Sequence, residues 1–147
     1  MTVADELSRR LELWEQISAG DAANTEPTTL RSMRVYGGAQ GIWVDKMRTA
    51  PLSSDGQGVT VSILHTGRHY PYDLSDDGVV YHYPTTHRPS GRDVAEIQAT
   101  KNAAELALPI FVILPGNDSA AKRSVQLGWV VDFDDEIRQF FDPVRRA

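Results

Sequence analysis

The chain has 147 residues, 41% of them hydrophobic, and carries 20 acidic against 15 basic residues, for a net charge of −5. This is enough apolar material for the core of one globular domain. The absence of cysteine excludes disulfides and thiolate metal sites. With no signal-peptide core and no apolar run of the roughly 20 residues that a membrane span needs, a cytoplasmic protein without a membrane partner is expected.

The acidic residues are concentrated toward the two ends of the chain. Residues 1–26 carry six acids and two bases, and residues 131–147 carry five acids and three bases. Residues 27–130 therefore hold nine acids, ten bases and all four histidines. A nearly neutral middle permits a nucleic-acid-binding face but does not require one.

The first predicted element is an amphipathic helix over residues 3–18. Its apolar positions recur at spacings of three and four residues and are Leu7, Leu11, Trp14 and Ile17. A polar stretch with Gly and Pro follows, up to residue 29, and a short helical turn is predicted over 30–35. We therefore predict a helix and linker over 1–26, followed by one globular unit over 27–147.

Beyond residue 41 the pattern becomes typical of strands. Runs rich in β-branched and aromatic residues, bounded by Gly, Pro or Asp, predict strands at 42–44, 59–64, 79–83, 110–114 and 125–131. A helix is predicted over 93–108, capped by Asp93, with a buried face made of Val94, Ile97, Ala104 and Leu108. A short last helix is predicted over 134–141. The order indicates an α+β fold with a curved, barrel-like mixed sheet flanked by helices.

The glycine-rich run over residues 37–41 invites comparison with phosphate-binding loops. It lacks the Lys-Ser/Thr pair of such loops and leads into a strand rather than a helix, which argues against binding of a nucleoside triphosphate. Two interpretations remain: a loop whose bare backbone approaches a ligand, or a simple tight turn.

The four histidines are candidate metal ligands, and Asn102 is a candidate hydrogen-bonding residue. His65 and His69 have the four-residue spacing of paired ligands on a helix, but Gly67 and Pro71 favour a strand end and turn there. No metal site and no cofactor are predicted, and the nucleophile elbow of serine hydrolases is missing. Asn102 lies inside a predicted helix, where a solvated surface position is favoured over a hydrogen-bonding function.

The segment Tyr70–Thr85 is the most informative part of the sequence. It places the carboxylate of Asp73 between two aromatic clusters, with a turn that could fold one cluster over the other. Two rings and one acceptor can hold a planar base, because each stacking contact contributes roughly 1–3 kcal/mol and a carboxylate accepts from an exocyclic amine. The alternative is an ordinary β-hairpin with half-buried tyrosines.

This segment resembles the SRA (SET- and RING-associated, or YDG) domain, which reads modified cytosine by flipping the base out of DNA. The resemblance covers roughly residues 36–131. It consists of Gly37-Gly38-Ala39-Gln40-Gly41, similar to the family's Gly-Gly-x-x-Gly, of Tyr70-Pro71-Tyr72-Asp73, similar to Tyr-x-x-Asp, and of Tyr81-His82-Tyr83, similar to aromatic-x-Tyr. The chain also looks like the leading domain of bacterial HNH-endonuclease-type restriction proteins, in which such a reader precedes the nuclease.

The resemblance implies roles for particular residues. Tyr70 and Tyr83 would sandwich the flipped base and Asp73 would accept from its Watson–Crick edge. His82 and Thr85 would complete the base-binding set. The other DNA-contacting residues would be Ala39 and Gln40, which enter the gap in the duplex, and Lys46, Arg48, Arg68, Arg88 and Arg92.

Two departures from the family pattern leave the identity of the modification open. Pro84 stands where the family has a small hydroxyl residue, so that Thr85 or Thr86 must supply this contact. The glycine-rich run that usually follows is replaced by residues 86–92. The base could therefore carry a 5-methyl, a 5-hydroxymethyl or a glucosylated substituent.

The predicted function is binding of double-stranded DNA with a modified cytosine, without catalysis in this chain. Cleavage would come from a nuclease domain or partner. The alternative is a metal-dependent nuclease or hydrolase that uses Asp73 with His65, His69 or His82. A third interpretation is an RNA-binding or protein-interaction module on the same sheet.

Overall fold

The computed structural model describes residues 1–37, 41–65, 78–82, 92–136 and 139–145. Its helices are α1 (Val3–Ala19), α2 (Pro27–Ser32), α3 (Lys46–Thr49), which continues into a 3₁₀ turn over Ala50–Leu52, and α4 (Arg92–Glu105). Its strands are β1 (Ile42–Val44), β2 (Thr60–Leu64), β3 (Gly78–His82), β4 (Ile110–Pro115), β5 (Arg123–Gly128), β6 (Asp132–Asp134) and β7 (Gln139–Arg145).

The strands form one mixed sheet in the order β1-β2-β4-β5-β7-β3, and β6 pairs with β7. β2 and β4 run parallel and the other pairs are antiparallel. The α+β class and the five predicted strands are thus confirmed. The predicted last helix over 134–141 is wrong, because this part of the chain contributes β6 and β7. There Phe140 is fully buried and lies opposite Tyr81 of β3.

The described part of the sheet is strongly curved but not closed. Its edge strands, β1 and β3, form no pair with each other within the described ranges. In a flat sheet, the five strand spacings between them would separate them by about 24 Å. Instead, Gly41 at the start of β1 lies against the hydroxyl of Tyr81 in β3. The edges therefore approach through side chains, and a closed barrel is not seen in the residues described.

Two apolar clusters pack against the sheet. One contains Trp14 and Ile17 of α1 with Phe111 and Val125 of the sheet. The other brings Ala103 of α4 together with strand residues on the opposite side. Val94, predicted to be buried on α4, is 70% exposed, so that prediction is wrong. The boundary between residues 26 and 27 stays a prediction.

The buried face of α1 contains a charged pair that the apolar spacing did not reveal. Glu6 and Arg10 are both fully buried, and Arg10 Nε donates to Glu6 Oε2 over 2.7 Å. Arg10 Nη1 also donates to the carbonyl oxygens of Thr60 and Pro109, each at 2.8 Å. One guanidinium thus joins α1 to the start of β2 and to the residue before β4.

Asn102 is a hydrogen-bonding residue of α4 rather than a solvated one, so the favoured interpretation was wrong. It is 5% exposed, and its Nδ2 donates to the carbonyl oxygen of Gly58 at 2.9 Å and to the Asp55 carboxylate at 3.2 and 3.3 Å. Its Oδ1 accepts from Gln98 at 3.0 Å. Asn102 therefore fixes the loop that leads into β2.

Among the described residues, no helix is long and apolar enough to cross a membrane.

Candidate nucleic-acid interface

Most residues of the predicted base pocket lie outside the described residues. These are Tyr70, Asp73, Tyr83 and Thr85, together with the predicted DNA contacts Ala39, Gln40, Arg68 and Arg88. His82 ends β3 and Arg92 begins α4. Lys46 and Arg48 are described in full. The base-pocket assignment therefore stays a prediction, and the structure shows the framework from which these segments depart.

Two strand ends meet where the candidate segments begin. The chain leaves β2 at His65 and leaves β3 at His82. The rings of His65 and Tyr81, the residue before His82, meet edge to face with their centroids 6.0 Å apart. His65 is 7% exposed, and its backbone N–H donates to the carbonyl oxygen of Ile113 at 2.9 Å. Described residues that precede segments 66–77 and 83–91 are thus close together.

The glycine-rich run is anchored at both ends by close approach to aromatic rings. A Cβ on Gly37 would overlap the indole of Trp43, and a Cβ on Gly41 would overlap the hydroxyl of Tyr81. Neither ring could occupy its position if these residues had side chains. The two ends of the run are therefore fixed, one on β1 and the other on β3.

An ion pair lies at the base of the same run. Arg34 Nε and Nη2 donate to the two carboxylate oxygens of Asp45, each at 2.9 Å. Asp45 is 3% exposed, and Arg34 adopts a left-handed backbone conformation with φ of 58°. Burial acts to raise the pKa of Asp45, but the hydrogen bonds and charge of Arg34 outweigh it and hold this pKa below its usual value. The pair joins the segment before the run to the residue after β1.

The two predicted phosphate contacts on α3 differ in their surroundings. Arg48 Nε lies 3.4 Å from Glu6 Oε1, and 38% of its side chain is exposed. The Lys46 side chain is exposed, and within the described ranges no side-chain hydrogen bond or ion pair of Lys46 is found. Arg48 is partly directed toward α1.

The described residues contain no group of three or more His, Asp or Glu side chains that could hold a metal ion. His65 and Asp45 are both buried; His65 contacts Tyr81, and Asp45 accepts hydrogen bonds from Arg34. Segments that carry His69 and Asp73 lie outside the described ranges.

Sequence reasoning missed the Arg34–Asp45 pair and the ring contacts of the glycines. The run of three glycines within residues 37–41 was a signal of close backbone approach. What the sequence could not give was the identity of the approaching groups, since Tyr81 is 40 residues further along the chain.

No protein-family model matches the chain, and no curated protein sequence matches it. Among solved structures, the modification-dependent TagI restriction endonuclease is similar with a TM-score of 0.52 and 18% identity, over 83% of this chain and 47% of that one. A complex of the SUVH5 SRA domain with methylated CHH DNA gives a TM-score of 0.49 and 18% identity, over 84% of each chain.

The resemblance seen in the sequence included restriction proteins, and the first of these structures shows that this chain shares a fold with part of one such protein. The chain spans about half the length of the matched endonuclease, 47%.

Proposed function

We propose that this chain binds double-stranded DNA that carries a modified cytosine, as the reader part of a modification-dependent restriction system. The observation that carries the proposal is the shared fold with a modification-dependent restriction endonuclease. It is supported by the meeting of His65 and Tyr81, since segments 66–77 and 83–91, which carry the aromatic–Asp–aromatic pattern, depart from that point.

In this proposal the base is flipped into a pocket formed by Tyr70, Asp73 and Tyr83. Flipping costs a few kcal/mol of unstacking. Two stacking contacts of roughly 1–3 kcal/mol each offset this cost, and the Asp73 carboxylate selects the amine edge of cytosine. Thr85 and His82 complete the pocket.

The glycine-rich run would enter the gap that the flipped base leaves. The two ends of the run contact Trp43 and Tyr81, and the Arg34–Asp45 pair holds the residues beside it. These contacts would position the middle of the run, with Ala39 and Gln40, for contact with DNA. Phosphate contacts from a chain with net charge −5 must be local. Lys46, which is exposed, is one proposed phosphate contact, and the others are Arg48, Arg68, Arg88 and Arg92.

Cleavage is assigned to a nuclease domain or partner. The matched endonuclease is about twice as long as this chain, which leaves room in such a protein for a second activity.

The test is a comparison of affinities for two duplexes that differ only in one modified cytosine. Asp73→Ala should weaken binding to the modified duplex by about 1–3 kcal/mol, the value of one good base-edge contact, and should erase the preference between the duplexes. Asp76→Ala is the matched control, because it removes the same charge from the same segment. Equal affinity of Asp73→Ala and the parent for the modified duplex would contradict the pocket.

The same experiment separates the reader from the alternative enzyme. A reader binds the modified duplex without a divalent metal and leaves it intact. Metal-dependent turnover of DNA by the chain alone, lost in Asp73→Ala, would instead favour a nuclease.

A further inference from the structure

More positive than negative charge is concentrated where α1 meets the end of β1 and α3. Two buried carboxylates, those of Glu6 and Asp45, are paired there with four arginines, and a lysine follows Asp45 directly in the chain. Five cations against two carboxylates leave an excess of three positive charges, in a chain whose net charge is −5. The five cations are Arg9, Arg10, Arg34, Lys46 and Arg48.

Three of these cations are accessible, whereas the carboxylates that hold two of them are not. Lys46 is exposed, and 58% of the Arg34 side chain and 38% of the Arg48 side chain are exposed. The side chains of Asp45 and Glu6 are 2% and 0% exposed. A partner at this surface therefore meets positive charge, because the negative charge is buried.

The two accessible arginines keep N–H groups for a partner. A guanidinium has five N–H groups, and the pairing of Arg34 with Asp45 uses one on Nε and one on Nη2. The contact of Arg48 with Glu6 is made by Nε. The carboxylates thus orient both guanidinium groups and leave donors for a second acceptor. Phosphate is a suitable acceptor, because arginine binds its oxygens through two parallel hydrogen bonds.

The three accessible cations lie beside the glycine-rich run. Arg34 comes three residues before Gly37, and Asp45, which precedes Lys46, comes four residues after Gly41. Because a chain extends at most about 3.6 Å per residue, Arg34 is within about 11 Å of Gly37 and Asp45 is within about 14 Å of Gly41. Nucleotides of a DNA strand follow one another every 3.4 Å or so, at about that rise along the helix axis. A duplex that touches the run therefore presents phosphates to these cations within a few base pairs.

We propose that Arg34, Lys46 and Arg48 form one phosphate-binding patch for the backbone of double-stranded DNA. The inference rests on the proposed function, to which it adds Arg34 as a contact and the union of three cations in one site. DNA is the partner that fits, because it carries one negative charge per about 1.7 Å of helix axis and because the patch adjoins the run that would enter the duplex. Phosphates carry no sequence information, so the patch binds modified and unmodified DNA alike.

The experiment measures the Kd of four duplexes that are identical except at one cytosine, which is unmodified, 5-methylated, 5-hydroxymethylated or glucosylated on the 5-hydroxymethyl group. Each Kd is measured between about 50 and 200 mM salt. One phosphate contact adds about 0.9 to the slope of log affinity against log salt, and so about 3.5-fold to the loss of affinity over this range. Lys46→Gln should make that loss about 3.5-fold smaller for every duplex, and the double variant Arg34→Gln with Lys46→Gln about 12-fold smaller.

Two controls separate the effect of charge from an effect on the fold. Arg34→Lys, like Arg34→Gln, loses the paired hydrogen bonds to Asp45 but keeps the positive charge, so it should keep the salt dependence of the parent. Lys122→Gln removes one charge from a surface pair in which Nζ lies 3.7 Å from Glu26 Oε1. Lys122 lies beside the end of β4, whereas the patch lies beside the start of the parallel strand β2, so this variant should also keep the salt dependence. Urea denaturation in the binding buffer shows whether each variant is folded.

The outcomes distinguish the patch from the function on which it rests. If the parent prefers a modified duplex and the Arg34→Gln and Lys46→Gln variants keep its salt dependence, the function stands and the patch is overturned. An acidic protein partner for this surface predicts that same result. A changed ratio of the Kd values for modified and unmodified duplexes in these variants would place the cations on the base, which overturns the patch as well. If the parent shows no preference among the four duplexes while the variants reduce the salt dependence, the patch stands and the proposed function fails.

Discussion

The contact between α1 and β2 differs from the contact between β1 and β3 in what holds the two elements together. At the first, a whole guanidinium is buried, and Arg10 is matched by Glu6 and by two backbone carbonyl oxygens. At the second, side chains are absent where the chain passes a ring, and Gly41 lies on Tyr81. One contact depends on polar partners, whereas the other depends on shape.

The two contacts lie in different parts of the molecule. The first joins α1 to the sheet, and the second lies beside the segments that are proposed to read DNA. The α1 contact lies at the start of β2, far along that strand from His65. The glycine contact lies beside the starts of both candidate segments. A change at the first contact should therefore lower stability, and a change at the second should alter the geometry from which the base pocket departs.

The largest expected effect is at the charged contact. Arg10→Met should lower the free energy of unfolding by about 2–4 kcal/mol, because it removes the donor from two buried carbonyl oxygens and the shortest hydrogen bond to the Glu6 carboxylate, which then keeps only Arg9 and Arg48 as partners at 3.2 and 3.4 Å. Urea denaturation measures this loss. Arg31→Met is the control; Arg31 is exposed and lies over the Tyr36 ring at 5.9 Å, so the loss of stability should be no more than about 1 kcal/mol.

A second variant sharpens that result. Adding Glu6→Gln to Arg10→Met should restore none of the lost stability, because the Glu6 carboxylate still accepts from Arg9 and Arg48 when Arg10 is gone. A loss below about 1 kcal/mol in Arg10→Met would show that water or neighbouring groups replace the guanidinium, which contradicts its role as the link between α1 and the sheet.

A smaller effect is expected at the contact that depends on shape. Gly41→Ala should cost about 1–3 kcal/mol, the usual range for an extra methyl group forced into a packed site. In the Tyr81→Phe background the same change should cost clearly less, because the hydroxyl that the new Cβ meets is gone. A double-mutant cycle, followed by urea denaturation, measures the difference. Equal costs in the two backgrounds would mean that the methyl group meets something other than the hydroxyl.

The sequence predicted the strands well because β-branched runs between turn residues report local preference. It placed Trp14 and Ile17 of α1 correctly in the core. It failed where the deciding partner is distant: Arg10 donates to carbonyl oxygens 50 and 99 residues away, so its burial leaves no local pattern. The sequence predicts a helix for the segment with Phe140, although pairing with β3 makes it a strand.

Less of the candidate site than of the fold could be predicted from the sequence. The glycine-rich run predicts a backbone that approaches a ligand, and this stays a prediction; at the two ends of the run, the groups that lie close are Trp43 and Tyr81 of the chain itself. The roles of Tyr70, Asp73 and Tyr83 remain predictions from resemblance.

The smallest expected effect concerns the Arg34–Asp45 pair, which joins the segment before the glycine-rich run to the residue after β1. The pKa of Asp45 is lowered in the folded chain, so its stabilising contribution is present above the unfolded pKa of about 3.9 and is lost as the pH falls through the folded pKa. Asp45→Asn should therefore be less stable than the parent by about 1 kcal/mol near neutral pH, the upper range for a pair with an exposed partner.

The measurement is urea denaturation of the parent and Asp45→Asn between about pH 7 and pH 2. The two stabilities should begin to converge below about pH 4 and become equal only below the lowered folded pKa of Asp45, because a protonated Asp45 and an asparagine present nearly the same neutral group to Arg34. Asp5 and Asp55 also have lowered pKa values, owing first to backbone hydrogen bonds from Thr2 and Gln57. They are present in both proteins, so their contributions cancel in the difference. A difference that stays constant across this range would mean that Asp45 stabilises the run through packing and not through its charge.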